Sequence, residues 1–271
     1  MKVTLETLRQ LKVDGKPAAG VSCYTAADAA LAAEAGVDFV VVGDSLAMTL
    51  LGFDSTLPAT MAMMELFVAA TRRGLTGDHV PLVVGDMPLG SYQPSDDIAV
   101  TNACRLVQAG ADIVKLEGCS DLVLSRIKSI SQAGIGVMAH LGLQPQQKAL
   151  VGGWRVQAKT ASGAAELESE VRWVIDCGAV LVLVEAVPRE AAAWVRKNLA
   201  VPAEAAAWER KNLKDPTPIY GIGAGPEVDG QLLVLSDLVG EFRPFKSRFA
   251  KRYCEAGAMK KAAITEYVAE V

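Results

Sequence analysis

The run Phe39-Val40-Val41-Val42-Gly43-Asp44 carries four apolar residues into a glycine and a carboxylate, and close relatives of the pattern recur along the chain. They read Leu82-Val83-Val84-Gly85-Asp86, Ile113-Val114-Lys115-Leu116-Glu117 and Val180-Leu181-Val182-Leu183-Val184-Glu185. Short, continuously apolar, β-branched runs are what strands buried on both faces require. Acids at the C-terminal ends of several parallel strands converge on one rim, which in a closed α/β barrel is where active sites sit. Carboxylates gathered there repel one another, so the pattern predicts a cation among them.

Around these runs the order is regular. A strand over 19–24 precedes an Ala-rich helix closed by Gly36, and a loop over 45–58 leads to a Met-rich helix. Ser95, followed by Asp96 and Asp97, is placed to cap a helix that stops at Gly110. Strand five, over 135–140, ends on His140, and a loop over 141–162 follows. Strand seven spans 218–222 and strand eight lies within 232–238. Strict alternation of strand and helix implies a parallel sheet, and eight repeats imply a single-domain (β/α)8 TIM barrel over residues 1–271.

Composition agrees with a large core: hydrophobic residues make up 51% and charged residues 21% of 271 residues. A net charge of −4 leaves no footprint for nucleic acid, and no basic cluster or long apolar stretch points to a membrane. Cys23, Cys104, Cys119, Cys177 and Cys254 show no metal-binding or redox spacing, and residues 1–20 contain no apolar leader. These features predict reduced thiols and a cytoplasmic protein.

At the rim, Asp44 and Asp86 each follow a glycine, and their oxygens suit Mg²⁺, a hard cation that keeps part of its water shell. Glu117 is longer and one strand further round, which suits contact through water. Lys115 lies two residues before Glu117, so both point to one face of the strand. A lysine directed into a barrel needs acids or an anionic substrate beside it. Asp44, Asp86, Glu117 and Glu185 bring four negative charges, which Lys115 and one Mg²⁺ only partly offset. A small anion must therefore be held by chelation, as a 2-oxo acid is through its carboxylate and ketone oxygens. Polarisation of that ketone acidifies the adjacent C–H and leaves Glu185 as general base, with His140 orienting the substrate. His79 reads as an exposed turn residue. The segment Gly221-Ile222-Gly223-Ala224-Gly225 fits either a phosphate cradle or a tight turn under a packed helix.

Several motifs, in order along nearly the whole chain, resemble the signature of the ketopantoate hydroxymethyltransferase family. They are Gly43-Asp44-Ser45-Leu46-Ala47-Met48-Thr49 with Asp54-Ser55-Thr56-Leu57-Pro58, and Asp86-Met87-Pro88-Leu89-Gly90-Ser91-Tyr92. Val114-Lys115-Leu116-Glu117-Gly118, His140-Leu141-Gly142-Leu143, Gly152-Gly153-Trp154-Arg155-Val156-Gln157 and the glycine-rich segment with Asp229-Gly230-Gln231 complete the set. The resemblance implies a barrel that uses Mg²⁺ and 5,10-methylenetetrahydrofolate to hydroxymethylate α-ketoisovalerate (3-methyl-2-oxobutanoate). It implies Asp44, Asp86 and Glu117 at the metal, and Asp44, Ser45, Asp86, Lys115 and His140 at the keto acid. Glu185 would be the proton acceptor, and the chain a homo-oligomer, commonly a decamer of two stacked pentamers.

Thr25, Phe53 and Ser236 stand where the family usually has Asp, His and His, so a different 2-oxo acid is an alternative substrate. A C–C lyase of the phosphoenolpyruvate mutase and isocitrate lyase group is a second alternative. Its catalytic loop, with Cys beside Lys and Gly-His, has no counterpart here. A non-catalytic scaffold is the third, and the retention of Lys115 and Glu185 argues against it. Finally, residues 186–199 recur as 200–213 with changes only at Arg189/Ala203 and Val195/Glu209. This tandem duplication, 186–213, reads as a tolerated insertion of the helix after strand six, or as an added subunit contact. Pro202 would split it into two short helices or make its second turn bulge.

Overall fold

The computed structural model describes residues 1–150, 152–199, 217–242, 244 and 249–271. Eight parallel strands close in sequence order into a barrel. They are β1 (Ala18–Ser22), β2 (Phe39–Val42), β3 (Leu82–Asp86), β4 (Ile113–Glu117), β5 (Gly136–Gly142), β6 (Leu181–Glu185), β7 (Ile219–Ile222) and β8 (Gly230–Val234). Helices α2 (Ala26–Glu34), α4 (Met61–Gly74), α5 (Asp96–Ala109), α6 (Asp121–Gln132), α7 (Ala161–Asp176) and α8 (Arg189–Leu199) lie outside, after a first helix α1 (Leu5–Val13). A one-turn helix α3 (Leu46–Thr49) follows β2. Among the described residues no helix is long and apolar enough to cross a membrane.

The continuously apolar runs are explained by two cores. Val40, Val42, Val83, Val114, Leu116, Val182 and Val184 face the helices. The alternate residues Phe39, Val41, Leu82, Val84, Ile113, Met138, Leu181 and Leu183 fill the barrel. Phe39 and Tyr220 stack across the interior with centroids 4.7 Å apart. Each ring lies beside a glycine in register, Gly20 next to Phe39 and Gly230 next to Tyr220. A Cβ on Gly20 would fall 2.1 Å from the Phe39 ring, so the small residue is a packing requirement.

Helix α1 plugs the N-terminal end. Thr4 caps it by accepting from the Thr7 N–H, and Leu8 packs with Val3 into the barrel core. Glu6, Arg9 and Lys12 beside its leucines hide this helix in the sequence. At the same end Asp229 is buried and faces three donors. These are Lys12 Nζ at 3.0 Å, Arg196 Nε at 2.7 Å and the Ile219 N–H at 3.0 Å. The three donors tie α1, α8 and β7 together. Asp229→Ala would leave the buried Lys12 without its carboxylate, and a loss of about 3–5 kcal/mol is expected. Urea unfolding measures it, and metal binding at the far end of the barrel should be unaffected.

Several boundaries differ from the sequence reading. Strand eight is Gly230–Val234, and the segment beyond it, Leu235–Leu238, is helical. Strand five continues past His140 to Gly142, and a 3-10 turn, Pro145–Gln147, interrupts the loop that follows. The loop over 45–58 contains α3. His79 is half-buried and its Nε2 lies 2.8 Å from the Val37 carbonyl oxygen, so it secures a turn instead of standing free. Ser95 caps α5 through the Ile98 N–H, and Gly110 closes it in the left-handed region, as the sequence predicts. The first copy of the duplication forms α8, and the second, 200–213, lies outside the described residues.

Candidate active site

Strand register assembles the site. Asp86 on β3 pairs with Lys115 on β4, Glu117 with His140 on β5, and Gly142 with Glu185 on β6. Lower down the barrel the inward positions are apolar, and at this rim they become ionisable. Asp44 lies two residues beyond the end of β2 and donates its N–H to Asp86 Oδ2 at 3.1 Å. Gly43 makes this turn fit, because a Cβ there would lie 2.9 Å from Ser45 Oγ.

Asp44, Asp86, Lys115, Glu117 and His140 are all buried, and Glu185 retains 16% of its side-chain exposure at the edge of the cluster. Lys115 Nζ is 2.9 Å from Asp86 Oδ2, 3.2 Å from His140 Nδ1 and 3.9 Å from Glu117 Oε1. His140 bridges two acids, with Nδ1 3.4 Å from Glu117 Oε1 and Nε2 3.0 Å from Glu185 Oε2. Neither contact has the alignment of a hydrogen bond, so both act as charge contacts. Ser45 follows Asp44 in the chain, and its Oγ lies 2.8 Å from the Tyr24 hydroxyl. Asp44, Asp86, Lys115, Glu117, His140 and Glu185 thus lie together at one rim.

Burial, reinforced by the facing charges of Asp86 and Glu117, raises the Asp44 carboxyl well above the usual range. Asp86 is also raised by burial, despite Lys115. Lys115 is penalised by burial, but Asp86, Glu117 and Asp44 outweigh this and hold its proton more tightly than usual. Glu117 is lowered, because burial is overcome by His140 and Lys115.

For His140, burial and Lys115 act downward, and Glu117 and Glu185 overcome them, raising it to about 9. A folded pKa above the ordinary 6.5 means that the imidazolium stabilises the fold. That contribution is complete below about pH 6.5 and disappears as pH rises through about 9. In chelator, the urea midpoint should therefore decline across this window, and His140→Gln should flatten the decline.

One contributor escaped the sequence reading. Gln146, in the 3-10 turn after β5, is buried and donates its side-chain N–H groups to Asp44 Oδ2 at 2.9 Å and the Met87 carbonyl at 3.0 Å. Its backbone N–H donates to Glu117 Oε2 at 3.0 Å, and Tyr92 OH donates to its Oε1 at 2.9 Å. The glycine-rich segment after β7 is a close turn, since a Cβ on Gly225 would lie 2.3 Å from Arg189 Cβ at the start of α8.

A closed (β/α)8 barrel with a buried acid–lysine–histidine cluster at its C-terminal strand ends has the architecture of a barrel enzyme. The family model described as ketopantoate hydroxymethyltransferase matches residues 2–271. A protein of Caldicellulosiruptor bescii named 3-methyl-2-oxobutanoate hydroxymethyltransferase is 40% identical over 270 residues, covering 100% of this chain and 95% of its own. One of the same name from Anaeromyxobacter sp. strain K is 42% identical, covering 99% of this chain and 83% of its own. The chain belongs to the ketopantoate hydroxymethyltransferase family, a family of transferases. Among solved structures, 2,3-dimethylmalate lyase, described as a member of the PEP mutase/isocitrate lyase superfamily, superposes with a TM-score of 0.64. It is 16% identical and covers 100% of this chain and 90% of its own. Phosphonopyruvate hydrolase in complex with oxalate and Mg²⁺ superposes at 0.58 with 11% identity, covering 98% and 86%. At these identities the likeness concerns the fold.

Proposed function

We propose that this protein is a Mg²⁺-dependent hydroxymethyltransferase that converts 3-methyl-2-oxobutanoate to 2-dehydropantoate with 5,10-methylenetetrahydrofolate as the one-carbon donor. The observation that carries the reading is Glu185, the one partly exposed acid of the cluster, set 3.0 Å from His140 beside the buried Lys115. The names of the family relatives supply the reaction class.

The residues fit Mg²⁺. Asp86 Oδ1 and Glu117 Oε1 are buried without a hydrogen-bond partner, while the other oxygen of each carboxylate is already bonded. Among the described residues no three ligating side chains are gathered into a finished cage. Mg²⁺ needs none, since it binds through one or two carboxylates and completes its shell with water and substrate oxygens. Asp44 and Asp86 would hold it directly and Glu117 through water. When bound, it supplies Lewis-acid polarisation of the substrate ketone.

The remaining steps belong to the chain itself. Lys115 and His140 are cationic donors for the substrate carboxylate and ketone oxygens, and Ser45 adds a hydroxyl. Glu185 removes the β-proton, and the resulting carbanion bonds to the methylene carbon of the folate. Over the whole reaction the methylene leaves both folate nitrogens and water supplies the new hydroxyl oxygen. The β-proton and the second water proton go to those nitrogens. Of the departures from the family, Thr25 caps α2 and Phe53 is exposed on the loop after α3. A homo-oligomer, up to a decamer, belongs to the same reading. It is supported by the C-terminal helix Ala256–Glu270, which leaves Met259, Ile264, Tyr267 and Val268 exposed. Light scattering would give a multiple of 28.5 kDa, and a monomer would overturn this part.

The test is deuterium exchange at the β-carbon of a 2-oxo acid panel, followed by proton NMR with Mg²⁺ and no folate. Exchange of 3-methyl-2-oxobutanoate, with turnover when folate is added, is the expected result. Exchange of a different acid alone would assign another substrate, and no exchange at all would overturn the enzymatic reading.

A further inference from the structure

We propose that Gln146 is the positioning residue of the acid cluster, presenting Asp44 and Glu117 to the cation, and that Tyr92 acts through it. The inference rests on the Mg²⁺ reading and adds a role outside the set of acids. Three glutamines, Gln144, Gln146 and Gln147, stand at the 3-10 turn after β5, and the structure separates them. Gln144 and Gln147 are half-buried and bond to each other at 2.6 Å. Gln146 turns inward, 7% exposed, and makes contacts that reach the ends of β2, β3 and β4.

Its chemistry suits holding without competing. A side-chain amide donates through nitrogen, so it occupies Asp44 Oδ2 without adding charge to a crowded set of acids. The backbone N–H does the same for Glu117 Oε2, leaving Glu117 Oε1 without a partner. The amide could be reversed only by facing its oxygen to a carboxylate. Tyr92 opposes this by donating to Oε1, and its hydroxyl is placed by the buried ring. Tyr92, Gln146 and Asp44 thus form a directed chain of donors. Groups that orient a ligating carboxylate in this way commonly contribute 10- to 100-fold to metal affinity, and about tenfold is expected here.

The probe is Mn²⁺ alone, titrated by electron paramagnetic resonance at a temperature where every variant is folded. Gln146→Met keeps the length and the backbone donor but loses the side-chain donors, and should weaken Mn²⁺ binding about tenfold. Tyr92→Phe should weaken it by a smaller factor. Tyr92→Phe added to Gln146→Met should change little further, because the contact to Gln146 Oε1 has gone and the hydroxyl keeps only a long 3.5 Å contact to the Glu117 backbone carbonyl. In turnover, the metal requirement should rise in Gln146→Met with kcat recovering at saturating Mg²⁺. A lower unfolding midpoint with Mn²⁺ affinity within about twofold of wild type would overturn the positioning role, as would full additivity of the two substitutions. A wild-type chain that binds no divalent cation would overturn the Mg²⁺ reading itself, and this inference with it.

Discussion

Replacing Glu185 by glutamine is expected to slow β-proton exchange of the keto acid by about 10²- to 10⁴-fold, the usual contribution of a general base, while its binding changes little. The two side chains have the same shape, so the backbone geometry that aims the group should persist. That geometry is distinctive. Ala186, directly after Glu185, adopts a φ of 48°, which non-glycine residues rarely do. Its N–H donates to the Ile222 carbonyl and its own carbonyl accepts from the Gln157 N–H, each at 2.9 Å. Strand seven and the loop after β5 therefore fix the residue that follows the base. If Glu185 served only as a counter-charge for His140, the glutamine variant would behave differently. His140 would lose one of its two acids, binding of the anion would change most, and exchange at saturating substrate would survive. Exchange rates and substrate affinity measured together separate the two roles.

The strands were legible because a barrel buries both faces of each one. The runs ending at Asp86 and Glu117 are bounded in the structure as the sequence places them, the run ending at Glu185 begins one residue later at Leu181, and register then brings those acids beside Lys115 and His140. Legibility fell wherever one physical signal served two structures. The stretch from Leu232 to Leu238 opens as an apolar run, yet only its first three residues belong to β8, and Leu235–Leu238, with Ser236 and Asp237, is helical. In α1 the apolar positions Leu5, Leu8 and Leu11 are diluted by charges, and their role is visible only once the barrel end is in place to receive them. Gln146 was hidden for a different reason. Nothing in the spacing of three glutamines says which one turns inward, because that is decided by the 3-10 turn and by Tyr92, 54 residues away in sequence. Side chains that act through long-range hydrogen bonds leave no local periodicity to read.

Lys115→Met tests the electrostatics of the whole rim. Lys115 is 5% exposed and is the nearest fixed cation to Asp86, with Glu117 also within 4 Å. Methionine fills much of the same volume but leaves the acids uncompensated, and removal of one partner from a buried ion pair costs about 3–5 kcal/mol. Activity should be lost as well, because the cationic donor for the substrate goes with the side chain. Three observations would identify the cause as charge. First, the stability loss measured in chelator should shrink at low pH, where protonated carboxylates no longer repel. Second, Mg²⁺ should stabilise the variant more than the wild type, since it replaces part of the missing positive charge. Third, Asp86→Asn added to Lys115→Met should recover stability without recovering exchange, because it removes one of the repelling charges and restores no donor. If the single variant unfolds at the wild-type urea concentration in chelator, the acids are not coupled through Lys115. A loss that ignores pH, Mg²⁺ and the second substitution would instead assign the lysine a packing role.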